Sequence, residues 1–189
     1  MARELELLLE RKERYALLGI RNKVTMSLLV YQALALKELV GLTVEDVNLE
    51  KGSIYIAASA KANARRLPLQ GQQSLWLYRY LKEARPKLLK EPTPVLILTS
   101  RGTPERGEGI HYLVETFRPK FPTKRLTPTT IRQSVLAGLL KSGQGLRQVQ
   151  AFAGHRKPSG PALRRSTART TWRRSRRPSI NIIRNRNHF

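Results

Sequence analysis

Apolar residues recur at helical spacing over Glu4 to about Arg14. They do so more strongly from Val24 to Leu39, where Leu28, Leu29, Leu36 and Leu39 supply most of a stripe and Gly41 ends the run. The period then changes. Val44, Val47 and Leu49 precede Lys51-Gly52, a tight turn into Ile54-Tyr55-Ile56, and a third extended piece runs from Arg65 to Leu69. This pattern predicts a small antiparallel β-meander. Residues 73–84 return to helical spacing, with Leu75, Leu77 and Leu81 facing inward, Arg79 and Lys82 facing water, and Pro86 ending or kinking the helix. A short apolar run, Val95 to Leu98, leads into the loop Ser100-Arg101-Gly102-Thr103-Pro104, and Ile110 to Phe117 predicts another short helix.

Thr127-Pro128 is a helix start, because a threonine N-cap accepts from first-turn amides and proline at the first helical position has no hydrogen bond to lose. Ile131, Val135 and Leu139 follow at spacing four, which puts Thr129 and Arg132 on a shared face away from the main apolar row. Gly143 stops this helix. LRQVQAFAGH then predicts a short amphipathic helix closed by Gly154, with His155 just past its end. The fold class that emerges is mixed α+β, mainly helical.

Composition adds a core and a charge. In 189 residues, 40% hydrophobic content is enough to bury a real interior. The absence of cysteine excludes disulfides, thiol nucleophiles and cysteine-bearing zinc sites, and His111, His155 and His188 are too far apart for a local metal motif. No metal and no cofactor are expected. No window approaches the roughly 18 apolar residues of a membrane span, so the chain reads as soluble, cytoplasmic and without a membrane partner.

Thirty-six Lys and Arg against 13 Asp and Glu give a net charge of +23, a balance that attracts polyanions by counterion release and points to nucleic acid. In a prokaryote this means nucleoid association. The excess is uneven: residues 156–189 hold 11 basic residues and no acid, and the last acid in the chain is Glu115. We divide the chain into an N-terminal helical extension (1–19), a central domain (20–159) and a basic, disordered tail (160–189) that lacks any apolar period long enough to pack.

The segments LLVYQALALKELVGLTVEDVNLEKGSIYI, KANARRLPL, LTPTTIRQSVLAGLL and LRQVQAFAGH, in this order, resemble the catalytic domain of the tyrosine recombinases, the phage integrase family. The resemblance covers about 20–159 and implies that family's fold. It also implies its chemistry: a tyrosine attacks a DNA phosphodiester, two arginines clamp the non-bridging oxygens, a hairpin lysine serves as general acid and two histidines assist. On this likeness Lys61 matches the hairpin lysine, although its loop is about one residue short. Arg132 matches the second clamp arginine and His155 the Gly-His element. Lys61, Arg65, Arg132, His155, Arg156 and Lys157 are the expected DNA contacts. The family's separate N-terminal core-binding domain is expected to be missing.

Three departures stand out. Where the family reads Gly-Leu-Arg-x-x-Glu-Leu, this chain reads Ala33-Leu34-Ala35-Leu36-Lys37-Glu38-Leu39, so Ala35 replaces the first clamp arginine. Lys37 is no substitute, since two helical positions turn a side chain about 200° around the axis. Thr129 replaces a histidine and cannot shuttle a proton near pH 7. The nucleophile is due about nine residues beyond His155, where Arg164 stands, and no tyrosine follows Tyr112. The sequence thus describes a DNA-binding recombinase relative unable to cut by itself. Two alternatives remain open: a cleaving subunit whose tyrosine comes in trans from another recombinase protomer, and a frameshifted, inactive integrase remnant whose composition changes after about Ser159.

Overall fold

A computed structural model of the chain describes residues 2–11 and 13–156. α1 (Ala2–Glu6) leads through a turn and an extended stretch into α2 (Ala16–Tyr31), the central helix of the core. Along α2, Val24, Met26, Leu28 and Leu29 are at most 1% exposed, and Thr25 and Ser27 are as deeply buried. Their hydroxyls donate to the carbonyls of Arg21 and Val24, so no polar group is orphaned. Residues 24–30, buried in succession, have no polar face, and the helix begins eight residues before Val24 in a partly exposed half. The expected boundary at residue 19 falls inside this helix, and Leu8 and Leu9 ahead of it join the same core.

The single helix expected from Val24 to Leu39 is two. α2 stops at Tyr31, and α3 (Leu36–Val40) restarts after Ala33, a fully buried residue held at φ 49° in the left-handed region. The expected helix from Glu4 to Arg14 is likewise shorter, ending at Glu6. Gln32, at the break, exchanges two amide hydrogen bonds with Gln73 and donates to the Pro68 carbonyl, which ties the end of α2 to the sheet.

The meander is present as β1 (Val47–Asn48), β2 (Ser53–Ile56) and β3 (Arg65–Pro68), antiparallel and in that order. Val44 belongs to a 3₁₀ turn before β1 and not to a strand. Ile54 lies opposite Leu67, and Ile56 opposite Arg65. Directly paired residues share a face. Arg65 therefore points to the buried side with the isoleucines.

α4 (Gly71–Arg79) runs through a wider π-helical turn, Tyr80–Ala84, into α5 (Arg85–Leu88), so Pro86 sits in a first turn and ends nothing. The inward face carries Gln73, Leu77, Tyr80 and Ala84, which leaves Leu75 half exposed, contrary to expectation. Tyr80 explains the apolar run 95–98: its hydroxyl donates to Leu96 O at 2.9 Å and accepts from Leu98 N at 3.2 Å, pinning that segment in the core. α6 (Glu108–Glu115), α7 (Pro128–Lys141) and α8 (Leu146–Ala153) complete the described structure. Thr127 caps α7 as the sequence implies, accepting from Thr130 N. The described residues group as one compact unit, and the expected tail, 160–189, lies outside them.

Candidate functional site

Glu38, on α3, is a hub. Its carboxylate accepts from Arg65 at two points, Nη1 to Oε1 at 2.7 Å and Nη2 to Oε2 at 3.0 Å, from the Ala35 amide at 2.8 Å and from Arg132 Nη1 at 3.2 Å. Burial alone would raise its pKa, but the Arg65 hydrogen bonds, the Ala35 amide and the Arg132 charge outweigh that and hold it below the ordinary carboxylate value.

Arg132, in the second turn of α7, also donates to the Ala33 carbonyl and, at 2.7 Å, to the Ala153 carbonyl. One guanidinium thus joins the α2–α3 break, α3 and the end of α8. Its side chain is 14% exposed, and burial lowers its pKa against the opposing pull of Glu38.

His155 is placed by the end of α8. Gly154 closes that helix at φ 73°, its amide reaching back to Ala151 and that of His155 to Gln150. A side chain at 154 would collide with Arg65 Nη1, so this glycine answers two demands at once, backbone conformation and close approach. The β2–β3 loop is then drawn to the same place. Asn63 N donates to Gly154 O at 2.8 Å, and Ala62 pairs with His155 as an isolated antiparallel bridge. Within the loop, Ser59 N donates to Ala62 O, and the Ser59 hydroxyl accepts from the Lys61 and Ala62 amides. Lys61 is exposed at the tip. Burial first, then the charges of Arg132 and Arg65, lower the His155 pKa, with Glu38 opposing, so the imidazole is neutral at pH 7.

These elements enclose a cleft of about 790 Å³ that brings Lys61, Arg132, His155 and Ala35 together. The other expected residues lie elsewhere. Arg65 is 9% exposed, is paired with Glu38 and does not line the cleft. Thr129 is exposed in the first turn of α7 and lines no part of the cleft. Arg156 is exposed beyond His155, and Lys157 lies outside the described residues. All six tyrosines fall within the described residues, and none lines the cleft. Among the described residues, no group of three His, Asp or Glu side chains converges on a metal position, and no helix is long and apolar enough to cross a membrane.

A second carboxylate hub also escaped the sequence. Glu105 accepts from the amides of Arg106, Gly107 and Gly109 around the start of α6 and pairs with Arg21 at 2.6 Å, while Arg21 Nε donates to Leu98 O. Both hubs join a buried arginine to an acid from a distant segment. In the case of Arg65, the alternation of β3 is the sequence signal: it puts a cation beside Leu67 on the inward face, where it requires a counterion.

The model of the phage integrase family matches residues 1–160. The chain is 34% identical over 140 residues to the tyrosine recombinase XerD of Staphylococcus epidermidis, an alignment that covers 72% of this chain and 47% of that protein. It is 29% identical over 154 residues to XerD of Ralstonia nicotianae, covering 80% and 50%. The chain spans about half the length of these curated relatives. Among solved structures, the fold matches XerA recombinase with a TM-score of 0.69 at 20% identity, over 90% of this chain and 64% of that one. It also matches XerH site-specific recombinase bound to its difH substrate, with a TM-score of 0.70 at 20% identity, over 83% and 46%.

Proposed function

Since the chain belongs to the phage integrase family, we propose that it is a recombinase-type module that binds double-stranded DNA through its phosphate backbone and does not cut it unaided. The observation that carries this reading is the content of the cleft. It holds two lysines, Lys37 and Lys61, one arginine and one histidine, yet an alanine at 35, and none of the tyrosines lines it. Losing one preorganised donor to a developing charge commonly costs about 100- to 1,000-fold in rate, which leaves a slow enzyme. Losing the nucleophile removes the covalent route.

Duplex binding is supported by the net charge of +23, by exposed Lys61 in the loop that pairs with His155 and by exposed Arg156 next to His155 in sequence. The neutral imidazole of His155 can accept or donate one hydrogen bond to a phosphate oxygen but brings no charge. A DNA-binding protein of this kind works inside the cell, alongside nucleic acid.

The test is a suicide duplex nicked beside the scissile phosphate, incubated with the pure chain and analysed under denaturing conditions. No protein–DNA adduct is expected. An adduct formed by homogeneous protein overturns the reading, and the attached residue then identifies the nucleophile. An adduct seen only with an active relative, and attached to that relative, leaves this chain as its DNA-binding partner.

A further inference from the structure

We infer that Glu4 of α1 competes with nucleic-acid phosphate for Lys124, which makes α1 a strap that a polyanion lifts from the connection between α6 and α7. The inference rests on the duplex binding proposed above and assigns it a second surface, one that shares no residue with the cleft.

The charges come first. Residues 116–127 hold four cations, Arg118, Lys120, Lys124 and Arg125, and no acid. Arg118, Lys124 and Arg125 are exposed around a hollow of about 550 Å³ between α6 and the start of α7. One acid lines this hollow, Glu115, which lies 3.7 Å from Arg118 with both side chains exposed, so the pair holds Arg118 only weakly. The Arg125 guanidinium has no hydrogen bond or ion pair among the described residues. Such a hollow offers point charges to the phosphates of a strand.

The segment around α1 already supplies a substitute anion. Lys124 Nζ donates to Glu4 Oε1 at 2.5 Å, and this bond is the main cause that holds the Glu4 carboxyl below its ordinary pKa. Lys120 Nζ donates to the carbonyls of Leu7 and Glu10, at 3.4 and 2.7 Å, across the turn that follows α1. Two of the four cations therefore hold this segment instead of an outside ligand. The helix is also built to yield. It has five residues, too few to persist without tertiary support, and a gap of about 190 Å³ lined by Leu5, Leu8, Phe121, Leu126 and Ile131 remains where it meets α7. Leu8 and Leu9 are its buried anchors. A phosphate that takes Lys124 removes the Glu4 contact and leaves these two leucines as the hinge.

Duplex affinity is measured at one fixed ionic strength by fluorescence anisotropy for the full chain, for Glu4→Gln and for Glu91→Gln. Glu91 is an exposed acid that lines neither the hollow nor the gap, so it controls for net charge. Glu4→Gln is expected to bind about two- to fivefold more tightly than Glu91→Gln, the range an exposed ion pair can withhold. In a Lys124→Ala background this advantage should vanish. Hydrogen exchange gives an independent reading: saturating duplex should speed exchange of the Leu8 and Leu9 amides, which bond back to Leu5 and Glu6. Equal affinities of the two glutamine variants, an advantage that persists without Lys124, or unchanged or slower exchange at Leu8 and Leu9 overturns the inference. A chain that binds no duplex fails the proposed function instead. The exchange measurement with inorganic tripolyphosphate then decides this inference alone: acceleration supports it, and its absence overturns it.

Discussion

Arg65 of β3 and Glu38 of α3 meet in a two-point ion pair, 2.7 and 3.0 Å long, with side chains only 6% and 9% exposed. The parallel fork is the strongest geometry available to an arginine and a carboxylate. Arg132 shares the same carboxylate, so two guanidiniums depend on one anion. Removing a single partner from a buried pair leaves an uncompensated charge, which costs about 3–5 kcal/mol. Glu38→Gln is expected to lose stability in that range by urea unfolding. Arg65→Ala should cost less, because Arg132 still neutralises Glu38, and Arg65→Lys should not restore the pair, because an ammonium cannot make the fork.

Ala33 offers the opposite experiment. A buried alanine at φ 49° pays for a conformation that glycine adopts freely. Ala33→Gly should raise stability by about 1 kcal/mol, read as a higher urea midpoint at unchanged slope. A lower midpoint would mean that packing of the methyl outweighs the backbone strain.

Gly154 and Gly52 are both left-handed, at φ 73° and 54°, but only Gly154 has a neighbour in the way of a side chain. Gly52→Ala should therefore cost about 1 kcal/mol, the conformational part alone. Gly154→Ala adds the collision with Arg65 Nη1 and should cost at least about twice as much. Equal losses would show that Arg65 yields without consequence.

The stability should depend on pH in two windows. His155 has a folded pKa below its unfolded value of about 6.5, so the unfolded chain takes the proton first. Its contribution is complete above that value and declines as pH falls through the folded pKa. Glu38 has the same sign one window lower: its contribution is present above about 4.5 and is lost as pH falls through its depressed folded value. Unfolding midpoints measured from pH 8 to 3 should fall in both ranges, and His155→Gln should remove only the upper decline.

Duplex affinity should fall steeply with salt, each neutralised phosphate contributing a slope near −0.9 in log affinity against log salt. Deleting 160–189, which carries nine basic residues and no acid, should flatten that slope more than Arg132→Ala does. The reason is that Arg132 is already committed to Ala33, Glu38 and Ala153, so its removal acts on stability more than on phosphate contact. A flat salt dependence of the intact chain would rule out a phosphate-dominated interface.

The parts of this fold legible in the sequence are those with local causes. The Thr127-Pro128 start of α7, the Gly154 stop of α8 and the strand alternation around Ile54 each follow from a few neighbouring residues. What was hidden has distant causes. The break at Ala33 carries no glycine or proline to announce it, and the buried stretch of α2, 24–30, has no polar stripe to mark where the helix stops. The cleft divides in the same way. Lys61, Arg132 and His155, picked out by the motifs that carry them, line one cleft. Arg65 was expected as a DNA contact; its partner lies 27 positions earlier, and only the register of β3 against Ile56 shows that it turns inward.

Glu38 Oε2 alone receives three donors, from Ala35, Arg65 and Arg132, and through them α3, β3 and α7 converge on one atom. Unravelling α3, only five residues long, would strip both guanidiniums of their counterion in the same event. Amide protons of α3 and of the Asn63–Gly154 contact should then exchange with solvent at a common rate, as one cooperative opening and not as independent fraying ends.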